Sequence, residues 1–192
     1  MGDQVGELMT KLVAMSKISK DDNTLLKEIE LTRKKIKDDP ELETMYGLIL
    51  TRLGRYTDAE KVLDSALELK PGSAWANYHK ANLYAKTGKN EHALECITKA
   101  CSKKPKRADF LVEKADIEYE LNKVKDSFHS YDLALRAGDK TGWAWLGKSR
   151  ILVHLNMLEE AVEAAKNAAK QNPQEEAFRK QEDFIKQKLS GA

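Results

Sequence analysis

The 192-residue chain has little of what punctuates or staples a fold: two cysteines, four prolines and 7% aromatic residues. Cys96 and Cys101 stand five positions apart within one helical stretch, on different faces, and neither has a CxxC partner. A disulfide between them is not expected, and the residues read as plain thiols in a reducing cytoplasm. No apolar run approaches the roughly 18 residues of a membrane span, so no membrane partner is expected. The formal net charge of +2 is too small to imply nucleic acid or an acidic membrane surface. The opening MGDQVGELMTKLVAMSK carries early acids and no compact apolar core, which speaks against a secretory signal. Gly2 lacks the Ser or Thr at Gly6 that a myristoylation site wants. No phosphate loop, nucleophile elbow or zinc-ligand spacing occurs, and His79, His92, His129 and His154 are scattered. The sequence therefore points to no enzyme, no cofactor and no metal.

What it does have is a period. Turn-and-stop positions fall at Pro71, Pro105, Asp139 and Pro173, each 34 residues apart. Small residues keep that spacing at Gly47, Ala81, Ala115 and Ser149, at Ala59, Ala93, Ser127 and Ala161, and at Ala66, Ala100, Ala134 and Ala168. Gly54, Gly88, Asn122 and Asn156 mark a turn within each unit, where Gly or Asn can adopt the left-handed conformation that ends a helix. Two antiparallel helices approach closely only where side chains are small, so these columns read as helix crossings. A proline after the second helix cannot continue it.

With these residues, 40–173 resembles four tetratricopeptide repeats. The second repeat supplies Ala81, Tyr84, Ala93, Ala100 and Pro105. The first supplies Gly47, Tyr56, Ala59, Ala66 and Pro71. The fourth supplies Trp145, in the family's tryptophan column, with Ser149, Ala161, Ala168 and Pro173. The third departs most: Ser127 stands for alanine and Asp139 for proline, so its second helix is expected to end less sharply. The resemblance covers about two thirds of the chain and implies an all-α fold, a right-handed α-α superhelix (solenoid) of helical hairpins.

Around the repeats the spacing predicts capping elements. Val5, Leu8, Met9, Leu12 and Met15 fall at helical spacing, and a second helix follows Asp21-Asp22-Asn23-Thr24, ending near Lys37. Residues 1–39 thus read as an N-terminal hairpin, a degenerate repeat or cap. The repeats follow at about 40–73, 74–107, 108–141 and 142–175. Their helices are expected over 41–53, 57–69, 73–86, 91–103, 108–121, 125–137, 142–155 and 159–171. A solvating helix is expected over 174–189 of the last segment, 174–192. It would bury a stripe of Phe178, Ile185 and Leu189 and leave Gln181, Glu182 and Lys186 outside.

In the family the first helix of each pair lines a concave groove. The positions here that match it are Glu41, Thr44, Leu48 and Arg52, then Trp75, Tyr78, His79, Asn82 and Lys86. In the third repeat they are Asp109, Val112, Glu113, Asp116 and Glu120, and in the fourth Trp143, Leu146, Arg150 and His154. Trp75 and Trp143 share a column and read as anchors for a partner. Asp109, Glu113, Asp116 and Glu120 form an acidic stripe suited to a basic segment. The family's clamp for chaperone carboxylates needs Lys, Arg and Asn. At its positions stand Tyr78, Asn82, Glu113, Trp143 and Gly147, and only Asn82 fits, so that mode is not expected.

The resemblance implies a non-catalytic adaptor that holds a peptide or helix of another protein in its groove. The alternative is a self-assembling scaffold, a homo-oligomer in which the N-terminal hairpin docks on a neighbour. RNA binding through Lys103, Lys104, Lys106 and Arg107 is not favoured, because no aromatic residue interleaves for base stacking.

Overall fold

The computed structural model describes residues 21–191. The expected helix over residues 5–18 lies outside them. Among the described residues the fold is all-α, ten helices and no strand. They are α1 (Asp22–Lys35), α2 (Pro40–Arg52), α3 (Tyr56–Leu69), α4 (Ala74–Lys86), α5 (Asn90–Lys103), α6 (Ala108–Glu120), α7 (Val124–Arg136), α8 (Trp143–His154), α9 (Leu158–Gln171) and α10 (Glu176–Ser190). From α2 onward every helix expected from the spacing is present, with its ends displaced by two residues at most. The chain divides into two compact units, Met1–Lys103 and Lys104–Ala192.

Local chemistry explains where the helices start and stop. Asp39 precedes Pro40 and its carboxylate accepts the Leu42 N–H at 2.8 Å, which caps α2. Ser73 caps α4 through the Ala76 N–H at 3.2 Å. Within each repeat the first helix ends in one and the same way. Gly54, Gly88, Asn122 and Asn156 have φ of 75°, 73°, 58° and 58°. The N–H of the next residue then bonds back five residues, from Arg55 to Leu50 O, Lys89 to Tyr84 O, Lys123 to Glu118 O and Met157 to Leu152 O, at 2.8–2.9 Å.

The third repeat departs from the expectation of a looser end. Gly138 has φ 89° and the Asp139 N–H bonds to Ala134 O at 3.0 Å, so α7 stops as sharply as the others. Asp139 is 7% exposed. Its carboxylate accepts from the Thr141 N–H at 3.0 Å, the Thr141 hydroxyl at 2.6 Å and the Ala144 N–H at 3.2 Å. The residue that replaces proline therefore caps the next helix as well as closing the previous one.

Packing follows the small-residue columns. Every Ala and Ser in the three columns is 0% exposed, and Gly47 is buried. Ser127 satisfies its hydroxyl on Ala115 O at 2.7 Å, the crossing helix of its own pair. In the first unit α2 packs on α3 and α4 on α5, while α2 and α3 both meet α4, and α1 covers α2. Leu25, Ile29, Leu42, Ile49, Leu50 and Leu63 form its core. In the second unit α6 pairs with α7 and α8 with α9, α6 and α7 meet α8, and α10 closes on α9 and α8. Phe178 and Ile185 anchor α10 at 0% exposure. Leu189, expected on the buried stripe, is 40% exposed, because α10 runs one turn past what it covers. Gln181, expected outside, lies on the packing face and donates to Ser149 Oγ at 3.3 Å.

One contact breaks the pattern of small crossings. Tyr131 is 2% exposed, in a column occupied elsewhere by Leu63, Ile97 and Ala165. Its ring occupies the space that a side chain at Gly147 would take, and a Cβ there would lie 2.0 Å from Tyr131 Cζ. Gly147→Ala should therefore destabilise the protein by about 1–3 kcal/mol, as should Ala93→Leu by overpacking its crossing. Urea unfolding followed by circular dichroism measures both. A midpoint equal to that of the parent protein in either variant would show that its crossing has slack.

Candidate partner-binding faces

On α4 the spacing of Trp75, Tyr78 and His79 puts three rings on one face. Trp75 meets the Tyr78 ring edge-on, with centroids 5.8 Å apart and planes at 88°. It stacks on His79 at 5.9 Å and 21°, and Tyr78 meets His79 at 5.1 Å. Trp75 is 37% exposed, whereas Tyr78, His79 and Asn82 are half-buried. The expected anchor is thus the outer member of an aromatic cluster rather than an isolated indole.

In the second unit the expected acidic stripe is present on α6, but its members have different duties. Asp109 is exposed and pairs with Arg107, whose Nε lies 2.9 Å from Asp109 Oδ1. Glu113 is half-buried and Glu120 exposed. Asp116 accepts the Tyr131 hydroxyl at 2.5 Å. Desolvation pushes its carboxyl above the ordinary aspartate range, against the Tyr131 hydrogen bond and the Arg150 charge, while nearby Glu120 pushes it further up. Tyr131 is held protonated, by burial first and then by the Asp116 charge. Asp116 has an exposed surface and an electrostatically costly carboxylate at once.

Facing residues come from α8. Trp143 is 42% exposed, and one side of it is occupied by Phe178, with centroids 5.0 Å apart and planes at 80°. Gly142, at φ 89°, leaves room for that Phe178 ring, which a Cβ would approach to 2.6 Å. Arg150 is exposed and acts on Asp116 through its charge. His154 is exposed and meets Tyr119 edge-on at 6.4 Å.

Among the expected groove positions Leu146 and Thr44 are internal instead. Leu146 is 1% exposed and packs with Ala168 and Phe178. Thr44 is 4% exposed and bonds its hydroxyl to Pro40 O at 2.6 Å. Glu41 and Arg52 stay exposed but are paired, Glu41 with Lys70 and Arg52 with Asp22, each at 2.7 Å. Tyr131 and Phe178 were not among the residues expected at the site, yet they set the surroundings of Asp116 and Trp143. The signal for Tyr131 is a large ring in a column of smaller residues, matched by a glycine at Gly147.

Neither cysteine is in a disulfide, and burial pushes the Cys96 thiol up. Among the described residues no cluster of three or more His, Cys, Asp or Glu is placed to hold a metal ion. None of their helices is long and apolar enough to cross a membrane.

Residues 50–111 match the family model for the tetratricopeptide repeat. No curated protein matches the sequence. Solved structures match the fold. A thermophilic tetratricopeptide-repeat protein of Thermus thermophilus is 17% identical with a TM-score of 0.79, covering 94% of this chain and 98% of that one. Residues 41 to the end of MamA from Desulfovibrio magneticus RS-1 give 18% identity and a TM-score of 0.72, covering 90% and 97%. YrrB, described as a tetratricopeptide-repeat protein with an unusual peptide-binding site, gives 18% and 0.66, covering 84% of each chain.

The raised carboxyl of Asp116 fixes a sign. The native state holds this proton to higher pH than the unfolded chain does. The group therefore contributes stability below the ordinary aspartate pKa of 3.8, and that contribution is lost as pH rises through the raised native value. Asp116→Asn, which keeps an acceptor for Tyr131, should be more stable than the parent protein at neutral pH. The difference should close as pH falls below the ordinary value. Thermal unfolding across pH measures it, and a less stable variant at neutral pH would contradict the assignment.

Proposed function

Because this chain carries tetratricopeptide repeats, we propose that it is a non-catalytic adaptor that binds a peptide or helix of another protein. Binding would use the exposed faces of the first helices, α4 in the first unit and α6 with α8 in the second. The observation that carries the reading is the exposure of Trp75 and Trp143, at 37% and 42%, in one column of two first helices. Each indole is steadied by other rings, Trp75 by Tyr78 and His79 and Trp143 by Phe178. A partner would therefore meet anchors that need little ordering, which lowers the entropic cost of association. The peptide-binding site named for YrrB, a protein of the same fold, supports a peptide as the ligand class.

Charge selects within that class. Glu113, Asp116 and Glu120 on α6 favour a basic segment, and Arg150 on α8 limits how far such a segment can extend. The cytoplasm is the compartment that suits two cysteines outside any disulfide.

The test is affinity capture from native lysate read by mass spectrometry, with wild-type protein, Trp75→Ala/Trp143→Ala and Glu120→Lys as baits. Circular dichroism would confirm that each bait retains its helicity. The tryptophan variant should lose on the order of tenfold in affinity for the captured partner. The Glu120→Lys bait should lose less, with a weaker salt dependence. Equal capture by all three baits would remove the anchors from the account. Concentration-dependent sedimentation of the chain alone, with no captured partner, would favour a self-assembling scaffold instead.

A further inference from the structure

The first unit carries a second surface, where the last turn of α1 meets the start of α2. Residues Glu30, Arg33, Lys34, Ile36, Lys37, Asp38, Glu43 and Tyr46 line an open cleft of about 510 Å³. That volume lies within the range of ligand-sized sites. Arg33, Lys34, Ile36 and Lys37 of the basic run Arg33-Lys34-Lys35-Ile36-Lys37 line it, a run that the helix faces described above leave unexplained.

The charges in the cleft are equal in number but not in availability. Glu43, 8% exposed, is spent on Arg33, with Nε to Oε1 at 2.7 Å and Nη2 to Oε2 at 2.9 Å. The Glu30 carboxylate already accepts the Tyr46 hydroxyl at 3.2 Å. Lys34 and Lys37, in contrast, make no ion pair among the described residues. Asp38 stands exposed at the rim and offsets one of them. Arg33 is held in place twice, by the Glu43 fork and by lying over the Tyr46 ring at 4.3 Å. Its geometry is fixed before any ligand arrives. Half-buried Ile36 adds apolar wall against which methylene groups can pack.

We propose that this cleft is a second docking point that takes an acidic side chain of a peptide segment. Its carboxylate would rest between Lys34 and Lys37 and its methylenes against Ile36. The apolar wall is what separates this ligand from a free anion, which would use the ammonium groups alone. The site is independent of the proposed role of Trp75 and Trp143 and can be tested without knowing the partner.

The test is an NMR titration of the full chain at low salt, following the Arg33 side-chain Nε–H and the backbone signals of Lys34, Lys37 and Tyr46. Three probes are added in turn: a blocked peptide with two glutamates flanking a leucine, its glutamine counterpart, and inorganic phosphate. The glutamate peptide should move these signals saturably, and Lys34→Gln/Lys37→Gln should weaken it by about fivefold or more. The double substitution changes only exposed side chains and leaves the Arg33–Glu43 fork in place. Equal shifts with the glutamine peptide, shifts with phosphate as large as with the glutamate peptide, or no saturable shift would each overturn the proposal.

Discussion

The close approach of the two helices in each repeat is the constraint on which the rest of the molecule depends. It is set by three columns of Gly, Ala and Ser, spaced 34 residues apart. With no long side chain at the crossing, backbones come near enough for flanking Leu, Ile and Tyr residues to interdigitate. Because the crossing is buried on both sides, a change of even one methylene there has few ways to relax. The left-handed turns at Gly54, Gly88, Asn122 and Asn156 serve the same end, since they return the chain antiparallel within three residues.

That constraint divides the labour between helices. The second helices spend their apolar faces on neighbours on both sides: α3 meets α2 and α4, and α7 meets α6 and α8. The first helices are buried more fully still, eight of 13 residues in α2 against three of 14 in α3, and among the few large side chains they leave exposed are Trp75 and Trp143. Ion pairs repeat along with the packing. Asp64 pairs with Lys80, and Asp132 with Lys148, in matching places of the first and second units, with the lysine side chains only 15% and 14% exposed. Burial works against the charged Lys80, but Asp64 more than offsets it, and the net effect raises its pKa. Where the pattern is broken, a compensating change stands opposite. Tyr131 is large and Gly147 has no side chain, and the exchange brings a phenol from the core out to Asp116.

Much of this was legible in the residue order because periodicity encodes local geometry. The helix positions, the turn residues and the buried columns each follow from spacing along one chain. Contacts between elements are less visible in it. Trp143 and Phe178 are far apart in sequence, and only the seating of α10 brings them together. Gln181 was expected outside, yet it is one turn from Phe178 and Ile185 on the same stripe and reaches Ser149. Leu146 was assigned to an open face by register alone, but α10 covers it through Phe178. The acidic stripe was legible as a row of carboxylates. What the row could not reveal is that Arg107 pairs with Asp109 and that Tyr131 binds Asp116.

The most direct measurement of this division is hydrogen–deuterium exchange of the full chain with and without a captured partner. Binding should slow exchange in α4, α6 and α8 and leave α3, α5, α7 and α9 as they are in the free protein. Slowing confined to the second helix of each pair would contradict it, because the exposed tryptophans of the proposed site lie on first helices.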